Sequence, residues 1–213
     1  MLHNRVHGIY LAAGQGSRMG ANKLKLRLGD RSLGSYALHT AINSNLDYVW
    51  VIAGDAGADW IDSSFYEEPM KRKWSAIYCP EASKGQAYSL CCGIEAAISM
   101  ETAAVMIILA DQPLITSEMI NELLQRYDKE SAYDRSINYV ASICDGLPRP
   151  PIVFGQRMYP DLLRLQGDQG ARYLIRQDIP GICLEFDDSD LFMDVDTEED
   201  YRFLLAKTGI LKS

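Results

Sequence analysis

An apolar run, Val6 to Leu11, breaks into Leu11-Ala12-Ala13-Gly14-Gln15-Gly16-Ser17-Arg18-Met19-Gly20, with Lys23 three residues beyond. Glycines that follow a strand let backbone N–H groups approach anionic oxygens without a Cβ in the way. Arg18 and Lys23 place two cations beside that nest, a combination suited to neutralising a triphosphate. The spacing is GxGxxxG, which is not the dinucleotide fingerprint, and without a Gly-Lys-Ser/Thr it is not a P-loop. Asp111 ends the most apolar run, Ala103 to Ala110, and is followed by Gln112-Pro113. It is either a turn cap or a carboxylate at the strand end where sheet ligands bind. Asp194-Val195-Asp196 sets two carboxylates on one side if extended; otherwise it is the solvated approach to the last helix. Three carboxylates without histidine suit a hard cation such as Mg²⁺ or Mn²⁺.

A second constellation is Gly167-Asp168-Gln169-Gly170-Ala171-Arg172, an acid and a base around a turn that opens a helix. It reads either as a plain helix start with a surface arginine or as a grip on a second, anionic substrate. Pro148, Pro150 and Pro151 stiffen a stretch from Gly146 to Pro151, read as a rigid loop that forms a pocket wall or serves rigidity alone.

The elements that position these residues follow from hydrophobic period. Strands are expected at Val6–Leu11, Tyr48–Ala53, Ser75–Cys79, Ala103–Ala110, Ile137–Ile143, Ile152–Phe154 and Ile182–Phe186. Helices are expected around Leu33–Ile42, over Gly85–Ser99, over Ser117–Tyr127 with Thr116 or Ser117 as cap, near Met158–Leu165, and from Gly170 through Gln177. Thr197-Glu198-Glu199-Asp200 matches a capping box for a last helix that Gly209 ends. Strands alternating with helices, without a repeat or linker, imply one α/β domain with a mostly parallel sheet and helices on both faces. Gly14 to Gly20 and Asp111 then both fall beyond the carboxyl ends of strands.

Composition bounds the function. The chain has 213 residues, 47% apolar and 23% charged, enough for a buried core. A net charge of −8 argues against nucleic-acid or anionic-membrane partners. Residues 1–31 carry six basic side chains against one acid, whereas 185–200 carry nine acids and no base. A basic head meeting an acidic tail suits a polyphosphate and its counter-ion. The apolar run at Ala103 is far short of the roughly 20 residues of a bilayer helix, and no signal peptide is recognisable, so the expected location is the cytoplasm. Five scattered cysteines and three unpaired histidines read as reduced thiols and no histidine-bound metal.

Leu11 to Gly20 with Lys23 resembles the nucleotide signature of the molybdenum cofactor nucleotidyltransferases, and Asp111-Gln112-Pro113, Gly167 to Arg172 and Asp194 to Asp200 follow in that family's order. The cytidylyltransferase branch, including bacterial purine-catabolism accessory proteins that serve xanthine dehydrogenase, is most similar; Ala12-Ala13 stands where the guanylyl branch tends to have Gly-Gly. The resemblance implies a Rossmann-like nucleotidyltransferase fold with nucleotide in the N-terminal half and pterin in the C-terminal half. It implies contact of Leu11, Ala12, Ala13, Gly14, Gly16, Arg18, Lys23, Gly85 and Ser89 with CTP, Gly85 allowing close approach of the base. It places Asp111 with Asp194 or Asp196 on the metal, and Pro148, Gly167, Asp168, Gly170 and Arg172 toward the pterin, with Arg18, Lys23 and Asp111 closest to the reaction. The implied activity joins CMP to the terminal phosphate of Mo-molybdopterin and releases pyrophosphate, the product passing to a molybdoenzyme or its insertion chaperone. Alternatives are transfer to another phosphorylated acceptor such as a sugar phosphate, a non-catalytic cofactor carrier, or a nicotine-blue-type oxidoreductase. The last would need a nicotinamide cofactor, whose GxGxxG spacing and ribose-binding acid are missing.

Overall fold

In the computed structural model the described residues are 5–14, 22–54, 58–175 and 178–209. Strand β1, Val6–Leu11, is buried along its whole length. After a 3-10 turn at Lys23–Lys25 come two short antiparallel strands, β2 (Arg27–Leu28) and β3 (Arg31–Ser32), and helix α1, Leu33–Asn43. The chain continues through β4 (Tyr48–Ala53), β5 (Trp74–Tyr78), α2 (Gln86–Ser99), β6 (Ala104–Leu109) and α3 (Ser117–Tyr133). It closes with β7 (Tyr139–Cys144), β8 (Leu147–Gly155), a single helical turn α4 (Tyr159–Leu162), β9 (Ile182–Glu185) and α5 (Glu198–Thr208).

Seven strands form one sheet in the order β5-β4-β1-β6-β8-β7-β9. Only β8 runs against the rest, pairing antiparallel with β6 and β7, so the sheet is mostly parallel as expected. Alternation along the buried strands feeds two cores, one on each face. Tyr10, Val51, Met106 and Ile108 pack toward α1 and α3; Ile9, Leu11, Ile52, Val105 and Ile107 pack toward α2 and α4. A smaller cluster of Leu28, Leu33, Val195 and Leu204 fastens α5 to the β2–β3 ribbon.

Several elements depart from the sequence expectation. Gly146 to Pro151 is not a loop: Asp145 and Gly146, both at positive φ (53° and 71°), make the turn of a hairpin, and Pro148, Pro150 and Pro151 lie within β8. Prolines are tolerated there because the β6–β8 pairing ends at Ile107↔Ile152, leaving that stretch bonded on one side only. Helix α3 runs six residues past Tyr127, beyond the last of its buried residues, and Arg126 pairs with Glu130 one turn on. The helix expected near Met158–Leu165 is reduced to one turn, and the one expected through Gln177 is a 3-10 turn at Ala171–Leu174, Gln177 itself lying outside the described residues. Thr116, not Ser117, caps α3, its Oγ1 accepting from Met119 N at 3.2 Å.

Candidate active site

The site begins where β1 ends. Ala12 N donates to Ile52 O at 2.9 Å and Ala110 N to Leu11 O at 3.1 Å, so the backbone is held from both neighbouring strands up to Ala13 and Gly14. Strand order reverses about β1, with β4 continuing on one side and β6 on the other, and this is where ligands of open α/β sheets bind. Leu11, Ala12, Ala13 and Gly14 line one wall of an open pocket of about 310 Å³. Ala82, Ser83, Gly85, Gln86 and Ser89 line another, and Lys23, Leu24, Leu109, Ala110, Asp111 and Asp168 complete it. Gln15 to Gly20, including the predicted Gly16 and Arg18, lie outside the described residues.

Lys23 is fixed by its local turn. Asn22 Oδ1 accepts from Leu24 N at 3.1 Å, and Leu24 is buried in the core, leaving the lysine directed inward with only 7% of its surface exposed. Its Nζ lies 2.8 Å from Asp111 Oδ2 and 2.7 Å from Asp196 Oδ1. Burial alone would lower the ammonium's pKa, but the charge and hydrogen bond of Asp111, joined by those of Asp196, more than offset it, and the pKa rises. Lys23 is therefore a fixed positive charge between two carboxylates.

The acidic segment is aligned by backbone. Val195 N donates to Asp111 O at 3.0 Å, and the buried Val195 side chain sits in the small core under α5. The flanking Asp194 and Asp196 are thereby held beside Asp111. Asp196 is further tied by its N–H to Asp200 Oδ2 at 3.1 Å, within the capping box of α5 that Thr197 and Asp200 complete. The two acids differ in partner. Asp194 Oδ1 accepts from Gln112 Nε2 at 2.9 Å, whereas Asp196 meets Lys23. The protein flanking it and then the charge of Asp111 raise the Asp194 carboxyl above its ordinary range, with Gln112 pulling it back, while the residue as a whole is exposed. Gln112 is 2% exposed, and its Oε1 is buried without a hydrogen-bond partner among the described residues.

Whether these residues fit a divalent cation is answered by the donor set. Among the described residues no three His, Cys, Asp or Glu side chains form a ready metal cage. Asp111 and Asp196 nevertheless converge on one positive charge. Mg²⁺ is commonly held by one or two carboxylates plus substrate phosphates and water, so the pair fits a cation that arrives with a phosphorylated ligand.

The Gly167–Arg172 segment lies against the same pocket. Ala87 N, in the first turn of α2, donates to Gly167 O at 3.0 Å. Gly85 has φ +131°, and a Cβ there would stand 2.2 Å from Gly167 O. Contact with the protein's own backbone is thus by itself enough to require glycine at 85, which also lines the pocket. A Cβ on Gly170 would meet Gln86 Oε1 at 2.4 Å. Asp168, Gln169, Gly170, Arg172 and Tyr173 line a second pocket of about 360 Å³, and Asp168 belongs to both pockets. Pro148, opposite Ile143 on the β7–β8 hairpin, lines neither.

Thus Lys23, Asp111, Asp194 and Asp196 come together, and Gly85, Ser89 and Asp168 share one pocket with Leu11 to Gly14. Gln86 and Gln112 stand beside motifs already singled out, and Tyr173, 58% exposed, adjoins Arg172; none of the three carried a sequence signal of its own. A buried lysine paired with the half-buried Asp111 beyond the end of β1, where strand order reverses, is an arrangement suited to a phosphorylated ligand in an α/β protein. Residues 8–181 match the MobA-like NTP transferase domain, and the chain belongs to that family. It is 36% identical over 198 residues to purine catabolism protein PucB of Bacillus subtilis (strain 168), covering 91% of this chain and 93% of that protein. Among solved structures, Rv0371c of Mycobacterium tuberculosis H37Rv superposes with a TM-score of 0.75 at 23% identity, covering 95% of this chain and 98% of that one; the same protein has also been solved in complex with manganese. Molybdopterin-guanine dinucleotide biosynthesis protein A of Archaeoglobus fulgidus gives 0.67 at 14% identity, with 95% and 98% covered. These structural likenesses are likenesses of fold.

Proposed function

We propose that the protein is a molybdenum cofactor cytidylyltransferase, joining CMP from CTP to the terminal phosphate of Mo-molybdopterin with release of pyrophosphate and serving a molybdoenzyme of purine catabolism. The observation that carries this reading is the Lys23–Asp111–Asp196 cluster, two of whose members line a pocket that shares Asp168 with a second pocket. Two adjoining pockets suit a two-substrate transfer. Similarity to a purine catabolism protein supports the pathway.

In this mechanism Leu11 to Gly14 with Gly16 cradle the triphosphate, and Ser89 and the Gly85 segment face the base. Arg18 and Lys23 neutralise charge that builds on the departing pyrophosphate. Asp111 and Asp196 hold the divalent cation, while Gln112 steadies Asp194 beside them. That cation, held by those carboxylates, would supply charge neutralisation to the phosphates. Gly167, Asp168, Gly170 and Arg172, with the exposed ring of Tyr173, hold the pterin so that its phosphate lies in line with the α-phosphorus. The nucleophile is already an anion, so positioning and charge compensation suffice, and no side chain is asked to remove a proton.

The test is pyrophosphate release from CTP, GTP and ATP separately, with Mg²⁺ or Mn²⁺, with and without the cofactor, and with a sugar phosphate as competing acceptor. Release should require both CTP and Mo-molybdopterin, and Asp111→Asn should lower it at least ~100-fold, as expected when charge stabilisation of the transferring phosphoryl group is lost. Release with another base or acceptor moves the assignment within the family, and unchanged turnover in Asp111→Asn refutes the metal role.

A further inference from the structure

The geometry of the acidic cluster raises a question that the transferase reading leaves open. One group, the Lys23 ammonium, is close to both carboxylates proposed for the cation, at 2.7 and 2.8 Å. A divalent ion entering between Asp111 and Asp196 would meet a buried positive charge within hydrogen-bond distance of the same oxygens. Two like charges cannot share that position in a partly buried site without a large cost. Lys23 also lines the nucleotide pocket, so phosphate oxygens offer its Nζ a second set of acceptors on the same side.

We infer that Lys23 is a resident counter-cation, holding Asp111 and Asp196 together until a nucleotide triphosphate draws its ammonium to the phosphates and frees the pair for the divalent ion. Metal binding is thereby conditional on nucleotide, and the protein alone has little affinity for Mg²⁺ or Mn²⁺. The arrangement has two consequences. The carboxylates stay aligned in the empty protein, since each accepts from Lys23 and mutual repulsion is relieved. The lysine also reaches the phosphates when the ion reaches the carboxylates, so charge compensation on both sides is completed in one exchange. This inference rests on the metal assignment proposed above.

The experiment measures Mn²⁺ binding by electron paramagnetic resonance in the absence of nucleotide, for wild type, Lys23→Gln and Lys23→Arg, with thermal melts to verify folding. Lys23→Gln should bind Mn²⁺ at least about tenfold more tightly than wild type, because one full charge within hydrogen-bond reach has been removed. Lys23→Arg, which keeps the charge, should stay close to wild type. A Lys23→Gln protein that binds Mn²⁺ no better than wild type overturns the inference, as does Lys23→Arg tightening to the same degree. A second readout needs no variant that must fold: the ¹⁵Nζ resonance of Lys23 in wild type should be unmoved by Mg²⁺ alone and should shift when Mg²⁺ is added with a non-hydrolysable CTP analogue. A shift with Mg²⁺ alone overturns the exchange. Asp111→Asn separates the two levels. If it binds Mn²⁺ with the CTP analogue as wild type does, the underlying metal assignment fails; if it loses that binding while Lys23→Gln gains nothing, only the exchange fails.

Discussion

Replacing Gly85 by alanine should damage the protein more than a surface glycine change would, and the structure says by how much. The added Cβ would stand 2.2 Å from the Gly167 carbonyl oxygen and 2.3 Å from its carbonyl carbon, where ordinary contact begins at 3.4 Å. The two backbones must therefore part by more than about 1 Å, since neither obstacle is a flexible side-chain end. Parting them stretches the 3.0 Å bond from Ala87 N to Gly167 O, which satisfies a first-turn donor of α2. A φ of +131° adds strain for any residue with a side chain. Strain of ~1–3 kcal/mol and a compromised hydrogen bond of ~1–3 kcal/mol together predict a loss of ~2–6 kcal/mol. For a chain of this size that corresponds to a Tm lowered by ~4–24 °C. Gly167→Ala is the control: φ is +55°, nothing lies within 4 Å of its Cβ, and the cost should be ~1–2 kcal/mol. Thermal and urea unfolding of the two variants, read beside nucleotide-induced stabilisation, test the argument. A Gly85→Ala protein that melts with or above Gly167→Ala would refute the claim that the α2 start and the Gly167 loop are locked backbone to backbone.

Two further outcomes are expected. Thr197→Ala removes the side-chain half of the capping box, costing about 1 kcal/mol of stability, and should raise the Mg²⁺ concentration needed for half-maximal pyrophosphate release because Asp196 borders that cap. Unchanged metal dependence would detach the cap from the site. His7, 3% exposed, is held below its ordinary value of 6.5 chiefly by burial, with Asp47 pulling upward and Arg5 downward, and its Nδ1 accepts from Trp50 Nε1 at 3.2 Å. The unfolded chain then takes up a proton near 6.5 that the native ring resists, so stability should fall as pH drops below about 6.5, by at most ~1.4 kcal/mol per pH unit. His39, lowered by burial and by Arg31, acts in the same direction. Unfolding curves between pH 7.5 and 5.5 should lose part of their slope in His7→Asn, and an unaltered slope would count against this origin.

The central strands were readable because burial on both faces leaves near-continuous apolar runs, as at Ala104–Leu109, and their alternation assigns residues to two cores. The two strands of the β7–β8 hairpin were expected at Ile137–Ile143 and Ile152–Phe154, but the turn that joins them was not, since three prolines in Gly146 to Pro151 mask the start of β8. The Asp145-Gly146 pair, at positive φ in both residues, was the signal for it. Lys23 and Asp111 could be singled out by type and place in the chain. That one ammonium joins Asp111 to Asp196 could not, because the contacts span 88 and 173 residues and exist only through β1, β6 and the backbone bond from Val195 to Asp111. Gly85 was noticed for close approach to a base; the clash with Gly167, from a loop 82 positions away along the chain, carried no sequence signal.

The same long spans bear on how the protein is made. During synthesis Lys23 emerges long before Asp111, and Asp196 comes later still, so a nascent chain carries a basic glycine loop without its acidic counterpart. The parallel sheet must close before β1 and β6 lie side by side, a topology of non-local pairings that assembles slowly. The Lys23–Asp196 ion pair joins residues 173 positions apart, and α5 beside it packs through Leu204 in one cluster with Leu28 and Leu33. A chain halted before residue 196 lacks one of the two carboxylates proposed for the cation, so the proposed site is complete only when synthesis is nearly finished.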